Sequence, residues 1–363
     1  MPVSPRVPIK GRGAVSNPQG RFETRRRGNF DDGWDIEEPP LPPLETVVTP
    51  ETARSIISRN QSPDIPFTQS INPYRGCEHG CIYCFARPSH AYLNLSPGLD
   101  FETRLFYKQN AAELLDSELR KPGYRPAPIT LGANTDPYQP IERKLKVTRS
   151  ILQVLQRFHH PVSIITKSTL VTRDLDILSD MAQQDLANVM VSITTLDENL
   201  KRSLEPRAAG PRARLRCVHA LALAGVPVGV LNAPIIPVVN DHEIEHILEL
   251  AAQAGACGAG YVLLRLPHEV KDLFREWLNT HLPERAAHVM SIIRQMRGGQ
   301  DYQAEFGTRM RGTGEYAELI ARRFVVACKK FRLQNMRRLH LSSAHFRPPP
   351  DQAQLNLELQ TES

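Results

Sequence analysis

The chain has 363 residues, 41% of them hydrophobic, and 45 Lys and Arg against 39 Asp and Glu give a formal net charge of +6. This size allows one large folded domain with appendages, whereas the small positive excess cannot by itself identify an anionic partner. The first residues lack the apolar segment of a signal peptide, so we expect a cytoplasmic protein. The longest uncharged stretch, residues 218–239, is broken by glycines and prolines, so no membrane association is predicted.

Both ends of the chain have compositions that resist packing. Residues 1–66 are rich in Pro, Arg and Gly and contain three consecutive arginines at 25–27 and a Pro-rich stretch at 37–43. We predict a disordered, extended N-terminal arm over residues 1–66. The last residues, 346–363, are rich in Pro, Gln, Asn and Glu, and we predict a disordered tail there.

Between these ends, short β-branched apolar runs alternate with segments of helical period. The predicted strands are residues 68–73, 128–133, 162–167, 189–194, 226–234 and 260–266. The clearest helical segments are residues 145–158 and a run that Asp241 would cap. Crossovers of this kind place strands in parallel. We therefore predict an α/β core over residues 67–268, a partial (β/α)6 barrel with its chemistry at the carboxyl ends of the strands, and a helical C-terminal extension over residues 269–345.

A cluster of cysteines follows the first predicted strand. Cys77, Cys81 and Cys84 have the spacing C-x3-C-x2-C, whereas the other three cysteines stand alone in apolar surroundings. Thiolates favour iron–sulfur clusters or zinc, and a purely electron-transferring [4Fe–4S] centre normally has four Cys ligands. Three thiolates would leave one iron with an open position.

Zinc is the alternative that these residues leave open. A zinc site would use the three cysteines with His79 or His90, but zinc sites normally pair C-x2-C with a distant second pair, which this sequence lacks. His79 is interpreted as a solvent-facing loop residue or a neighbour of the cluster rather than as a ligand.

The cysteine motif resembles that of the radical S-adenosylmethionine (radical SAM) superfamily, and residues 69–333 resemble its spore photoproduct lyase-like branch. The resemblance assigns the predicted partial barrel to the radical SAM fold. It implies a [4Fe–4S] cluster held by Cys77, Cys81 and Cys84, with SAM on the open iron and Phe85 beside the cofactor. The implied reaction is reductive cleavage of SAM to methionine and a 5′-deoxyadenosyl radical that abstracts hydrogen, supplied with an electron by a donor of the flavodoxin or ferredoxin type.

The resemblance also implies SAM-binding residues at the strand ends. The candidates for the amino group are Asn134, Thr135 and Asp136. Lys167 and Arg207 are candidates for the carboxylate, because a cation at a strand end can bind it. Ser192 within the fourth predicted strand and Asn232 near the adenine complete the set. Each of these residue types is also common in ordinary turns and solvated loops.

One departure from this branch concerns hydrogen return. Spore photoproduct lyase uses a Cys at the end of its second strand to return a hydrogen atom to the substrate radical, whereas residues 131–135 contain no Cys. Thymine-dimer reversal by that route is therefore not predicted, and no catalytic side chain is assigned.

A second stretch carries features that suit nucleic acid. Residues 306–316 combine glycines, arginines and aromatics, and basic pairs follow at 322–323 and 329–330, a mixture that suits phosphate contacts and base stacking. A Gly-rich loop before a helix with a solvated basic face is the alternative. We thus predict a monomeric radical SAM enzyme acting on DNA or RNA. The alternatives are a radical SAM enzyme for a peptide or small metabolite, and a non-catalytic nucleic-acid-binding protein with zinc or a cluster.

Overall fold

The computed structural model describes residues 8–22, 44–335 and 341–350. The strands formed within these residues are β1 Val47–Glu51, β2 Ile57–Arg59, β3 Gln69–Ile71, β4 Tyr74–Arg75, β5 Arg104–Lys108, β6 Ile129–Leu131, β7 Val162–Thr166, β8 Ala187–Ser192, β9 Val228–Ile235, β10 Gly258–Leu263 and β11 Gln334–Asn335. The α-helices are α1 Asp100–Thr103, α2 Ala111–Leu119, α3 Glu142–Leu145, α4 Val147–Arg157, α5 Leu175–Ala182, α6 Glu198–Leu204, α7 Pro211–Leu223, α8 Ile244–Gln253, α9 Val270–His281, α10 Pro283–Gln295 and α11 Glu315–Lys330.

Eight strands form the main sheet in the order β11-β10-β9-β8-β7-β6-β3-β2. The neighbours from β3 through β11 pair in parallel, and β2 is antiparallel to β3. Consecutive parallel strands with helices between them form a partial (β/α)6 barrel, with β2 and β11 at its edges. The predicted α/β architecture is therefore confirmed, and all six predicted strands are present with ends displaced by at most about three residues.

The core lies between this sheet and its helices. All residues of β8 are buried, which explains why a strand covered on both faces reads as a nearly continuous apolar run. Helix α4 presents Ile151 and Leu155 to the sheet with no exposed surface. Val189 and Val191 belong to this helix-side core, so alternation places Ser192 on the inner face of the barrel.

The connection between β3 and β6 contains the cysteines and is largely structured. It holds β4 and β5, which form a second sheet with β1 in the order β1-β5-β4. A 3-10 turn, Arg87–Leu93, and the short helix α1 follow the cysteine loop. The cysteine loop thus leaves the second sheet after β4, and the Ile82 amide donates to the Leu204 carbonyl at the end of α6.

The prediction of a disordered N-terminal arm is wrong for residues 8–22 and 44–66. In the first stretch Ala14 has no exposed surface, and the second contributes β1 and β2. Composition averaged over residues 1–66 could not predict that these stretches are ordered, because their order comes from contacts with distant parts of the chain. The remainder of the arm, residues 1–7 and 23–43, lies outside the described residues.

The C-terminal extension is helical as predicted, through α9, α10 and α11, but it also adds the two-residue strand β11. Asp241 does not cap α8; it begins a 3-10 turn and accepts a 2.5 Å hydrogen bond from Tyr316. At the start of the predicted tail, Phe346 packs against Phe158 and His160, so disorder is wrong there too, whereas residues 351–363 lie outside the described residues. No helix in the described parts of the chain has the length and apolar character needed to cross a membrane.

Candidate metal centre and cofactor site

The three clustered cysteines lie in the loop after β4, and the charges of Cys81 and Cys84 act on Cys77. Cys77 and Cys81 are 6% and 8% exposed, and Cys84 is half-buried. Burial, Asp136 and the two neighbouring thiols together raise the pKa of Cys77, and burial with Glu205 raises the pKa of Cys81 to about 12. Burial also raises the pKa of Cys84, and three thiols that resist ionisation in this way fit a cationic iron centre, which stabilises thiolates outright.

Each of the two candidate zinc ligands has one ring nitrogen near another group of the protein, although Nδ1 of both imidazoles is buried without a hydrogen-bond partner. His79 Nδ1 lies 3.3 Å from Asp136 Oδ2, and His90 Nε2 lies 2.9 Å from the Arg104 carbonyl. In the described part of the chain, no three His, Cys, Asp or Glu side chains are grouped around a position for one metal ion. His79 is only 2% exposed, so its interpretation as a solvent-facing residue is wrong, and it is a buried member of the cysteine loop.

Backbone contacts hold the cysteine loop in place. The amide of Cys77 donates to the Phe101 carbonyl at 2.9 Å, and Gln139 clamps the loop by accepting from the amide of Glu78 and donating to the carbonyl of Gly76. Gly76 has a positive φ of 77°, as expected for a loop that wraps closely. Sequence reasoning missed Gln139, whose only signal is its place in the polar loop after β6.

A buried polar network lies beside the second and third cysteines. The Tyr83 hydroxyl donates to Glu205, Thr194 donates to the same carboxylate at 2.6 Å, and Arg214 forms an ion pair with it. Burial raises the pKa of Glu205, but Arg214, Lys167 and the two hydroxyls outweigh burial and lower the pKa to about 2. The carboxylate therefore supplies a fixed negative charge next to the cysteine loop.

Sequence reasoning missed this network because its members come from separate elements. Arg214 lies on α7, where an arginine reads as a solvated helix residue, yet it is only 2% exposed. Tyr83 inside the cysteine motif was the one available signal.

Two of the three amino-group candidates are already occupied by internal hydrogen bonds. The Asp136 carboxylate accepts from Thr166 Oγ1 and from the Lys167 amide, both at 2.7 Å, and Thr135 Oγ1 donates to the Tyr74 carbonyl at 2.8 Å. Burial raises the pKa of Asp136, but the neighbouring imidazole and these hydrogen bonds outweigh it and lower the pKa to about 2. The side chain of Asn134 is partly exposed.

The two cationic candidates have different surroundings. Lys167 Nζ lies 5.8 Å from the centre of the Tyr83 ring, and its charge acts on both Cys81 and Cys84. Arg207 is paired with Glu78 of the cysteine loop at 3.1 Å, and its side chain is 35% exposed. The geometry thus brings Lys167, more than Arg207, to the thiols.

Asn232 presents a buried acceptor without a partner. Its amide nitrogen donates to the Ile193 carbonyl at 2.9 Å, but its Oδ1 has no hydrogen-bond partner although the residue is 1% exposed. Buried polar atoms normally have partners, so this oxygen fits a donor on a bound molecule, such as the exocyclic amine of adenine. Ser192 lies nearby at the end of β8, buried on the inner face.

Arg265, just beyond β10, connects the cysteine loop to the C-terminal extension. Its guanidinium carbon lies 5.2 Å from the ring centre of Phe85, which is 44% exposed. Its nitrogens lie 3.3 Å from the Tyr302 hydroxyl and 3.6 Å from the Met310 sulfur. The stretch that sequence analysis associated with nucleic acid therefore lies beside the residue that follows the third cysteine.

That stretch carries an exposed aromatic and a guanidinium side by side. The Arg309 guanidinium lies 4.7 Å from the ring centre of Phe306, which is 57% exposed, but it also binds Asp64 through two hydrogen bonds of 2.7 and 2.6 Å. Helix α11 runs back along β10 towards β11, which pairs with the amino end of β10. The basic pair at 329–330 therefore lies at the opposite end of the barrel and does not extend this surface.

Known proteins share parts of this sequence and this fold. A family model described as the radical SAM superfamily matches residues 71–251. The chain is 38% identical over 233 residues to an uncharacterized protein of Mycobacterium tuberculosis strain H37Rv, covering 64% of this chain and 68% of the relative. It is 29% identical over 178 residues to an uncharacterized protein of Methanocaldococcus jannaschii, covering 49% and 63%.

Solved structures of spore photoproduct lyase share the fold. A cysteine-to-serine variant superposes with a TM-score of 0.57 at 15% identity, covering 78% of this chain and 79% of that one. The same enzyme complexed with dinucleoside spore photoproduct gives a TM-score of 0.56 at 14% identity, with the same coverage. At such identities the likeness establishes the architecture alone.

Proposed function

Because the chain belongs to the radical SAM superfamily, we propose that it holds a [4Fe–4S] cluster on Cys77, Cys81 and Cys84 and cleaves S-adenosylmethionine reductively to abstract hydrogen from a nucleic-acid substrate. When bound, the cluster and SAM would supply the electron and the 5′-deoxyadenosyl radical. The protein binds and orients the cofactor and the substrate, and it keeps water out of the site. Enzymes of this superfamily need an external reductant, and a flavodoxin or ferredoxin is the proposed donor.

The proposed roles of the surrounding residues follow from their places. Lys167 binds the SAM carboxylate as a point charge, and Asn134 binds the amino group. The internal hydrogen bonds of Thr135 and Asp136 shape the loop that carries Asn134. The unpaired Oδ1 of Asn232 accepts from the adenine amine.

Three further candidates complete the proposed pocket. Ser192 lines the inner face, where the SAM ribose would lie, and Arg207 steadies the cysteine loop through Glu78. Phe85 packs beside the cofactor, and the exposed part of its ring contacts the substrate.

One observation carries the nucleic-acid assignment: Arg265 joins the Phe85 ring to the loop that contains Phe306 and Arg309. Exposed aromatic faces such as that of Phe306 stack on bases of any sequence, and the guanidinium of Arg265 is the proposed phosphate contact, because Arg309 is already bound to Asp64. Such a surface at the mouth of the barrel suits an unpaired nucleotide turned towards the cofactor.

The proposed reaction does not return hydrogen through a strand-end thiol. Residues 131–135 contain no Cys, and the isolated cysteines are assigned no part in the reaction. Dinucleoside spore photoproduct, bound in a structural relative, is therefore not expected to be repaired through a Cys of this strand.

Anaerobic reconstitution tests the radical chemistry. Chain loaded with iron and sulfide, reduced with dithionite and given SAM is expected to release 5′-deoxyadenosine. Cys81→Ala should lose the cluster absorbance and this product, because a ligand thiolate is removed, whereas Cys328→Ala should keep both. Absence of 5′-deoxyadenosine from loaded wild-type protein, or zinc in place of iron, would refute the proposal.

Oligonucleotide binding tests the substrate class. Single-stranded DNA and RNA should bind with an affinity that falls steeply with salt, because phosphate contacts release counterions. Arg265→Ala is expected to weaken binding about tenfold through lost stacking and charge, while the exposed Arg285→Ala on α10 should not. Binding that is absent or insensitive to both salt and Arg265 would favour the peptide or small-metabolite alternative.

A further inference from the structure

A segment far from the cysteines in sequence covers their loop. Residues 8–22, which we call the N-terminal strap, pack on the cysteine loop, and Ala14 belongs to the same buried apolar cluster as Cys81 and Ile82. We propose that the strap is part of the cluster pocket: it holds the cysteine loop in its ligand-binding shape and shields the loop from oxygen. The inference rests on the cluster assignment and is independent of SAM cleavage and of nucleic-acid binding.

Glu102 joins the strap to the loop. It has no exposed surface, and its two oxygens accept the amide of Gly13 at 3.0 Å and the amide of Ala14 at 2.9 Å. The same carboxylate binds Arg87, also without exposed surface, at 2.5 Å. If the strap moved away, the buried Glu102 carboxylate would lose the two amide donors of Gly13 and Ala14 and its charge would be poorly compensated. The strap and the cysteine loop are therefore fixed as one unit.

Arg87 passes this connection to the cysteine loop itself. It donates to the carbonyl of Gly80 at 3.1 Å and to that of Cys81 at 2.9 Å, while its remaining nitrogen donates to the carbonyls of Pro97 and Gly98. With the bond to Glu102, all five guanidinium N–H groups are used. The side chain that sets the backbone around the second cysteine is therefore oriented by a carboxylate that the strap completes.

The strap and the loop touch through their backbones. A Cβ added to Gly13 would lie 1.8 Å from the carbonyl oxygen of Gly80, so no side chain fits between them. Further tethers place the strap in register: Asn17 exchanges two hydrogen bonds with Asp100, at 3.1 and 3.0 Å. Ser16 donates at 2.5 Å to Glu276 on α9, so the strap also connects the loop to the C-terminal extension.

Gly13→Ala in the full-length, reconstituted protein tests this role. The added methyl group must displace the strap or the loop, and overpacking of this kind opens a site locally. We expect a native circular dichroism spectrum, less iron per chain, and visible cluster absorbance that bleaches in air about tenfold faster than in wild type. The electron paramagnetic resonance spectrum of the reduced cluster should also change, which a remote loss of stability would not cause.

Lys10→Ala, an exposed position on the same strap, is the matched control and should behave as wild type. Asn17→Ala removes two tethers without a clash and should give a smaller change in the same direction if Gly13→Ala does not fold. Loading, bleaching and spectra that are unchanged in both Gly13→Ala and Asn17→Ala would overturn the inference. Hydrogen exchange on the unmodified chain is a second test of the inference. Amides of Gly13 and Ala14 that are not protected from exchange would contradict the inference.

Failure of wild-type protein to bind iron would instead refute the cluster assignment. The two failures are therefore distinguishable: one is seen in the unmodified protein and the other only in a comparison among variants that all start from a loaded wild type.

Discussion

Individual charges around the cysteine loop differ in how firmly the fold already holds them. Glu205 and Asp136 have several internal partners each, whereas Lys167 is placed near the thiols by a ring contact and by charge alone. Residues of the first kind build the site, and a residue of the second kind remains able to bind a ligand.

Lys167→Ala is therefore expected to weaken SAM binding while iron content stays normal. Loss of a hydrogen bond to a charged group corresponds to about 10- to 100-fold in affinity. Equilibrium binding of SAM to the loaded protein measures it, with the exposed Lys144→Ala as control. Equal affinities in the two variants would remove Lys167 from the site.

Glu205 should make stability depend on acid. Its folded pKa of about 2 lies below the ordinary value of 4.5, so its contribution is complete above about pH 4.5 and is lost as the pH falls towards 2. Glu205→Gln should lower the free energy of unfolding at pH 7 by about 3–5 kcal/mol, because Arg214 loses its partner, and should flatten the decline in acid.

Urea unfolding of the metal-free chain at pH 7 and at about pH 3.5 measures both effects. The exposed Glu284→Gln provides the control. Asp136 titrates in the same direction, so part of the acid sensitivity should survive in Glu205→Gln. A variant with an unchanged pH profile would show that the network does not ionise as described.

At the scale of elements, the turn after β6 depends on a close backbone approach. Gly132 has a φ of 87°, and a Cβ there would lie 2.1 Å from the carbonyl oxygen of Ile165 on β7. This glycine therefore sets how near the loop that carries Asn134 can lie to the neighbouring strand.

Gly132→Ala is expected to combine two costs: about 1–2 kcal/mol for a positive φ and about 1–3 kcal/mol for the clash. Gly123→Ala is the matched control, because Gly123 also has a positive φ but nothing lies within 4 Å of its added Cβ. Thermal unfolding should show a clearly larger loss of stability for Gly132→Ala than for Gly123→Ala. Equal losses of stability would mean that the backbone at Ile165 can move away from the added methyl group at no measurable cost.

At the scale of the whole molecule, the features that could be predicted from the sequence are those whose residues lie close together along the chain. The six barrel strands were predictable because buried parallel strands are continuous apolar runs between helical periods. The cysteine loop was predictable because its ligand spacing lies within eight residues. Both patterns are complete inside one short window of sequence.

Features that depend on distant pairs could not be predicted in this way. Glu102 and Gly13 are 89 positions apart, and neither residue alone differs from an ordinary loop residue. The contact between Arg265 and Phe85 and the burial of Arg214 likewise exist only once the barrel has formed. The monomeric state, the absence of membrane association and the class of substrate stay predictions that solution experiments can test.

The bond from Ser16 to Glu276 spans 260 positions and therefore links segments that leave the ribosome at very different times. At elongation rates of roughly 5–20 residues per second, residue 16 waits on the order of ten seconds or more before residue 276 is made. Iron delivery should consequently follow translation, and nascent chains stalled before residue 276 should take up less iron than released ones.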